Sequence, residues 1–199
     1  MYMRQLIRTT DELMTFVDNL LSDKKVELFA CDTETQEFSD EIRCSKQMWL
    51  YWIGIYAWDK HQCYIVHSES IDYWPFQWLL DLLPVVFHNA KFDLQILLNE
   101  KIINSTREIK ELHDTMLLSF LQDEEKQRHW LKFLAKTVLH IEEENITKFK
   151  DVSKKPVLKG TWTLFEGMMD NNLEQEILER EKTMWEYCMD DCRNTYDLY

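Results

Sequence analysis

Apolar residues along this chain fall into two patterns: short dense runs, and stripes spaced every three or four positions. Together they predict strands interleaved with helices. Leu13, Phe16, Val17, Leu20 and Leu21 lie on one helical face. Thr9 with Glu12 forms a capping box that starts this helix, and Lys24-Lys25 ends it. Val26 then opens the run V-E-L-F-A-C, short, apolar and bounded by charge, as a buried strand is. Met48 to Trp58 (M-W-L-Y-W-I-G-I-Y-A-W) is rich in aromatic and β-branched residues at alternate and intervening positions alike. That suits a central strand covered on both faces. Trp58-Asp59-Lys60 predicts a hairpin turn into a further strand, Gln62 to His67. These three runs predict one sheet.

Further on, Ile71 to Leu83 predicts a helix with Trp74, Trp78 and Leu82 on one side and Pro75 in its first turn. Pro84 stops it. Val85-Val86-Phe87 predicts a short buried strand, His88-Asn89-Ala90 follows, and Lys91 to Asn99 predicts a helix with Leu94, Leu97 and Leu98 inward. Glu108 to His113 reads as a short strand, Asp114 to Leu121 as a helix N-capped by Asp114, and His129 to Leu139 as an amphipathic helix. Lys148 to Gly160 is a basic stretch read as a loop, either solvated or touching phosphate, and Leu173 to Tyr199 as a long closing helix. This mixture predicts an α/β architecture, helices flanking one sheet.

Composition narrows the class. The 199 residues predict a single domain over 1–199, with 1–25 packing on it as an N-terminal helix. At 45% apolar and 13% aromatic, the chain can fill a large core, where most of its eight tryptophans are expected. The net charge of −13 has the wrong sign for coating nucleic acid by bulk attraction. Any such contact needs a local basic patch or cations held at the site. The five cysteines are odd in number and irregularly spaced, with no C-x₂-C pair, which argues against a disulfide framework and a structural zinc site. Cys188 and Cys192, one helical turn apart, read as packing thiols in a reducing, cytoplasmic compartment. No apolar stretch is long enough to span a bilayer, so no membrane is expected as a partner.

The candidate chemistry begins where the first predicted strand ends. Asp32 and Glu34 are two apart, so a strand points both to one face. Two carboxylates about 4 Å apart repel by roughly 4 kcal/mol at an effective dielectric of 20. A proton or a hard cation such as Mg²⁺ must offset that. Asp and Glu make up 36 residues, so one acid-x-acid triplet is also what an ordinary acidic surface would contain. Three further acids stand out: Asp93 in the first turn of a helix that follows a buried strand, Asp114 as a helix cap, and Asp191 four residues after Tyr187 on one helical face.

D-T-E-T at 32–35, H-N-A-K-F-D at 88–93 and Y-C-M-D-D at 187–191 resemble the three motifs of the DnaQ-like, or DEDD, 3′-5′ exonucleases. Tyr187 matches the tyrosine branch; the histidine branch would need His at 186, where this chain has Glu. H-D-T-M-L-L-S-F-L at 113–121 and H-W-L-K-F-L-A at 129–135 resemble the linking segment in the proofreading domain of family A DNA polymerases. Trp130 stands where that family usually has Gly. The resemblance runs from about Val26 to the C-terminus. It implies an RNase H-like fold with a mixed sheet of about five strands. It also implies two divalent ions, Mg²⁺ with Mn²⁺ able to substitute, held by Asp32, Glu34, Asp93 and Asp191, and Tyr187 as a further catalytic group. Thr35, Asn89 and Phe38 are the candidates for holding the terminal nucleotide. The implied activity is removal of nucleoside 5′-monophosphates from single-stranded or frayed DNA 3′ ends, in proofreading or end processing. A DNA polymerase, in cis or in trans, is the implied partner. No polymerase segment follows the third motif, which leaves a stand-alone exonuclease or the front of a longer polymerase. The rival readings are an RNase D-like exoribonuclease and a non-catalytic polymerase-docking module.

Overall fold

The structure, a computed structural model, describes residues 4–36, 49–58, 61–125, 128–141 and 186–199. Its elements in chain order are β1 (Arg4–Ile7), α1 (Thr10–Ser22), β2 (Phe29–Gln36), β3 (Trp49–Ala57), β4 (His61–Val66), α2 (Trp74–Leu82), β5 (Val85–Phe87), α3 (Ala90–Asn99), β6 (Leu112–Asp114), α4 (Thr115–Gln122) and α5 (Leu131–Thr137). A last helix, α6, covers 186–198.

Six strands form one sheet in the order β1-β4-β3-β2-β5-β6. β2, β3 and β4 run antiparallel to their neighbours within that trio, and β1, β5 and β6 join in parallel. The sequence predicts about five strands and a helix alone before Val26. β1 is the addition, a four-residue strand whose alternation is too short to register without its partner β4. β2 begins at Phe29 rather than Val26.

Alternation along the strands sends side chains to two faces, and both faces are covered. On the first, Phe29, Cys31, Ile53, Ile55, Val85 and Phe87 are buried in one cluster with Leu13, Phe16, Val17 and Leu20 of α1, Leu79 and Leu80 of α2, and Leu97 of α3. The capping box predicted for α1 is present, with Thr9 and Glu12 bonding each other's backbone N–H. On the second face Ala30, Tyr56, Tyr64 and Val86 pack against Cys188, Met189 and Cys192 of α6. All four described cysteines are free and buried, as packing thiols should be.

Several expectations shift. α2 starts at Trp74, and Ile71 and Tyr73 are buried in the approach to it. Its Trp74, Trp78 and Leu82 side is the outer one. Among the described tryptophan side chains only Trp52 is buried, while Trp58, Trp74, Trp78 and Trp130 are exposed. The inner positions of the sheet and α2 are already filled by Phe76, Leu79, Ile53 and Ile55. In α3 the inward stripe is Ala90, Asp93, Leu94 and Leu97 with Ile96, and Leu98 lies exposed, one position past the stripe. The strand predicted over 108–113 is a 3-10 turn at Thr106–Glu108 followed by β6. α5 is shorter than predicted, Leu131–Thr137. The basic stretch Lys148 to Gly160, the turn residues Asp59 and Lys60, Phe38, and the first part of the closing helix lie outside the described residues. Among the described residues no helix is long and apolar enough to cross a membrane.

Candidate active site

β2 is the middle of the site. Asp32 pairs across with Gly54, and Glu34 with Trp52 of β3. The register then slips, so that Thr35 pairs with Leu50 and Tyr51 is the extra residue. Such a bulge bends the strand just where its carboxylates end, and bulges re-aim side chains in this way.

Thr33 points to the opposite face from Asp32 and Glu34. Its backbone N–H, which lies in the plane of the sheet, donates to Asp93 Oδ1 at 2.9 Å, and its hydroxyl donates to the same oxygen at 2.7 Å. Asp93 is 3% exposed, in the first turn of α3. α3 is entered through Asn89, whose φ of 69° is left-handed, a conformation asparagine tolerates better than most residues. Asp114 fastens that turn. Its carboxylate accepts the backbone N–H groups of Asn89 and Ala90, at 3.0 and 2.9 Å, while also capping α4 through Met116 and Leu117. The N-cap role expected of Asp114 is therefore present, and it extends to the entry of α3.

α6 brings the third group. Gly54 admits it: a Cβ there would lie 2.6 Å from Cys188 Sγ and 2.7 Å from Cys192 Sγ. The missing side chain lets α6 lie against β3 directly beside Asp32. The ligand atoms of Asp32, Glu34 and Cys188 accordingly fall within 4.8 Å of one another. One turn on, Asp191 is buried at 7% exposure, and the Tyr187 hydroxyl hydrogen-bonds it. Lys132 of α5 reaches in from the side, its ammonium paired with Asp191 Oδ1 and 4.0 Å from the centre of the Tyr187 ring.

The electrostatics follow from this crowding. Burial raises the Asp32 carboxyl well above its usual range, and the charges of Glu34, Asp93 and Asp191 raise it further against the pull of Lys132. Burial and then Asp191 push Glu34 up to about 8. Burial pushes Asp93 up to about 7 although both Thr33 hydrogen bonds pull it down. Asp191 is raised by burial too, with Lys132 and the Tyr187 hydroxyl opposing. The Tyr187 phenol, desolvated and facing Asp191, is raised and stays protonated at neutral pH. Acids gathered so that each destabilises the charge of the next form a cluster that favours an added cation.

A family model described as 3′-5′ exonuclease matches residues 5–199. The chain belongs to this 3′-5′ exonuclease family. Solved structures repeat the fold at low sequence identity. One described as the apo form of a nuclease has a TM-score of 0.64 at 15% identity, covering 100% of this chain and 79% of that one. Brucella melitensis NrnC bound to pGG has 0.59 at 16% identity, covering 100% and 78%. Escherichia coli RNase D, described as an exoribonuclease involved in structured RNA processing, has 0.55 at 18% identity, covering 98% of this chain and 50% of that one. No curated protein matches. The α/β sheet described above is thus the RNase H-like fold of the 3′-5′ exonucleases.

Of the residues singled out in the sequence, Asp32, Glu34, Asp93, Tyr187 and Asp191 meet at one end of β2. Thr35 lies on the bulge, and Asn89 stands exposed at the entry to α3. Three residues that sequence reasoning passed over shape the site: Thr33, Gly54 and Lys132. Lys132 lies inside the quoted stretch H-W-L-K-F-L-A, and nothing local marks it. Its partner Asp191 is 59 residues away.

Proposed function

We propose that this exonuclease domain removes nucleoside 5′-monophosphates from the 3′ end of single-stranded or frayed DNA, in proofreading or end processing, by metal-assisted hydrolysis. The observation that carries the reading is the convergence of Asp32, Glu34, Asp93 and Asp191 beside one phenol, Tyr187.

The donors suit a hard divalent ion. They are carboxylate oxygens, they repel one another, and an ammonium already sits against Asp191. Asp32, Glu34, Asp93 and Asp191 would together hold two divalent ions, Mg²⁺ or Mn²⁺. Such ions supply positive charge that acidifies a bound water and stabilises a leaving oxyanion. The chain's own groups do the rest. Glu34 and the Tyr187 hydroxyl orient the attacking water in line with the bond to be broken. Thr33 holds Asp93 through two hydrogen bonds, so its carboxylate keeps one orientation. Asn89 and Thr35 border the place of the terminal nucleotide, with Phe38 as the stacking candidate. As water adds to phosphorus, the bond to the penultimate 3′ oxygen breaks, and that oxygen takes up a proton.

The preference for DNA rests on the two segments, 113–121 and 129–135, that resemble polymerase proofreading domains. RNA is the second reading, favoured by the likeness of the fold to a protein described as an exoribonuclease. A polymerase partner, in cis or in trans, would supply the affinity that an acidic surface lacks. The deciding experiment is a timed digestion of matched DNA and RNA oligonucleotides labelled at the 5′ end, with Mg²⁺ and with EDTA. Stepwise shortening of DNA from the 3′ end, only with metal, is expected. Shortening confined to RNA would move the assignment to the second reading, and none on either would dismiss catalysis.

A further inference from the structure

Among the described residues, Lys132 is the cation that the protein itself brings to the acid cluster. Lys132 stands at the start of α5, between the exposed Trp130 and the buried anchors Leu131, Leu134 and Ala135. Those anchors set the helix on the core, so the direction from which the ammonium enters is decided by packing. Its Nζ pairs with Asp191 Oδ1 and lies 4.0 Å from the Tyr187 ring centre. Both partners belong to the helix that also supplies Cys188 to the group around Asp32 and Glu34. The Lys132 side chain is 25% exposed and that of Asp191 only 10%. Lys132 is therefore the more exposed partner of the pair and the one free to swing toward solvent.

An oxygen that accepts an ammonium hydrogen bond cannot give a metal ion its full electron density, and two cations this close repel. We infer that Lys132 is a built-in counter-ion of the acid cluster, and that metal loading exchanges its ammonium for the incoming divalent ion at Asp191. This rests on the metal-dependent reading above. Without metal, the ammonium offsets part of the repulsion among Asp32, Glu34 and Asp191, and it holds α6 against α5. With metal, that service is redundant. The ammonium moves outward along the Tyr187 ring, whose face still attracts a cation. The protein thereby keeps its site assembled when metal is scarce, and it binds the ion less tightly than four bare acids would.

The test compares the full wild-type chain with Lys132→Gln and Lys132→Arg. Mn²⁺ affinity is read by calorimetric titration, and thermal melting is followed in EDTA and in saturating Mn²⁺. A charge within about 4–6 Å is worth one decade or more of affinity, so Lys132→Gln should bind Mn²⁺ about tenfold more tightly. It should also melt below wild type in EDTA, and Mn²⁺ should close that gap. Lys132→Arg, which keeps the charge, should track wild type in both measurements. Equal or weaker Mn²⁺ binding by Lys132→Gln overturns the exchange. Wild type digesting oligonucleotides while the two affinities stay equal removes this inference and leaves the exonuclease reading standing. Tighter binding by Lys132→Gln without any digestion by wild type does the reverse.

Discussion

Thr33 donates twice to a single oxygen of Asp93, from its backbone at 2.9 Å and from its hydroxyl at 2.7 Å. The two residues are sixty positions apart in the chain, and the bond pair ties β2 to the first turn of α3. Thr33→Val keeps the backbone donor and removes the hydroxyl, leaving a buried carboxylate short of a partner. A loss of roughly 1–3 kcal/mol in denaturant-measured stability is expected. Thr33→Ser should restore most of it. A Thr33→Val protein as stable as wild type would mean the hydroxyl contributes nothing to holding Asp93.

Gly54 sets how closely α6 can approach the acids. A methyl group there meets two sulfur atoms at well under contact distance, and neither belongs to a long side chain that could swing aside. Gly54→Ala should cost about 1–3 kcal/mol, as overpacking does, and displace Asp191 from Asp32. Adding Cys188→Ala and Cys192→Ala makes room for the methyl. The triple variant should therefore recover stability relative to Gly54→Ala alone. Additive losses, measured through a mutant cycle, would show that the crowding is not what matters.

In EDTA, stability should fall as pH rises from 6.5 to 9. Asp93 and Glu34 lose protons near 7 and 8 in the folded chain, against ordinary values of 3.8 and 4.5. The folded chain thus holds protons that the unfolded chain has already released. The stability linked to them is complete below the ordinary values and disappears as pH climbs through the folded ones. His88, pushed down to about 4 by burial, acts in the opposite sense but only below its ordinary 6.5, which is why the window starts there. Melting temperatures across this range should drop steadily, and saturating Mg²⁺ should remove much of the slope. A melting temperature that rises with pH in EDTA would contradict the crowding of the acids.

Asp32→Ala, Asp93→Ala and Asp191→Ala should each abolish mononucleotide release while leaving the circular dichroism spectrum intact. Tyr187→Phe should slow release less, since it removes an orienting hydroxyl and no charge. Retention of full activity by any of the three alanine variants would remove that residue from the proposed mechanism. A Tyr187→Phe loss as large as theirs would require a different role for the phenol.

Asp114 serves four backbone N–H groups, two at each of two helix starts. Removing a capping side chain typically costs about 1 kcal/mol, and two ends should double it. Asp114→Ala should therefore lose roughly 2 kcal/mol by the same capping estimate, and it should raise the substrate concentration needed for half-maximal release through a loosened Asn89. Asp114→Asn, which keeps one acceptor oxygen, should fall between the two. A loss confined to stability, with substrate response unchanged, would separate Asp114 from the site.

By itself the sequence determined the strand-and-helix alternation and the capping of α1 and α4, and its resemblance to the DEDD exonucleases singled out five of the groups that meet at the end of β2. Those features are local: a two-residue spacing points Asp32 and Glu34 to one face, and a four-residue spacing does the same for Tyr187 and Asp191. It left β1 unread because four residues carry too little alternation to stand out, and it sent tryptophans inward because bulk apolar content cannot say which face is already full. Tertiary structure alone decided how near the groups come. Gly54 matters only because α6 crosses it, Thr33 only because α3 starts beside it, and Lys132 only because α5 aims it at Asp191. Distance between faces is set by packing across some sixty residues of chain, and no spacing along the chain encodes it.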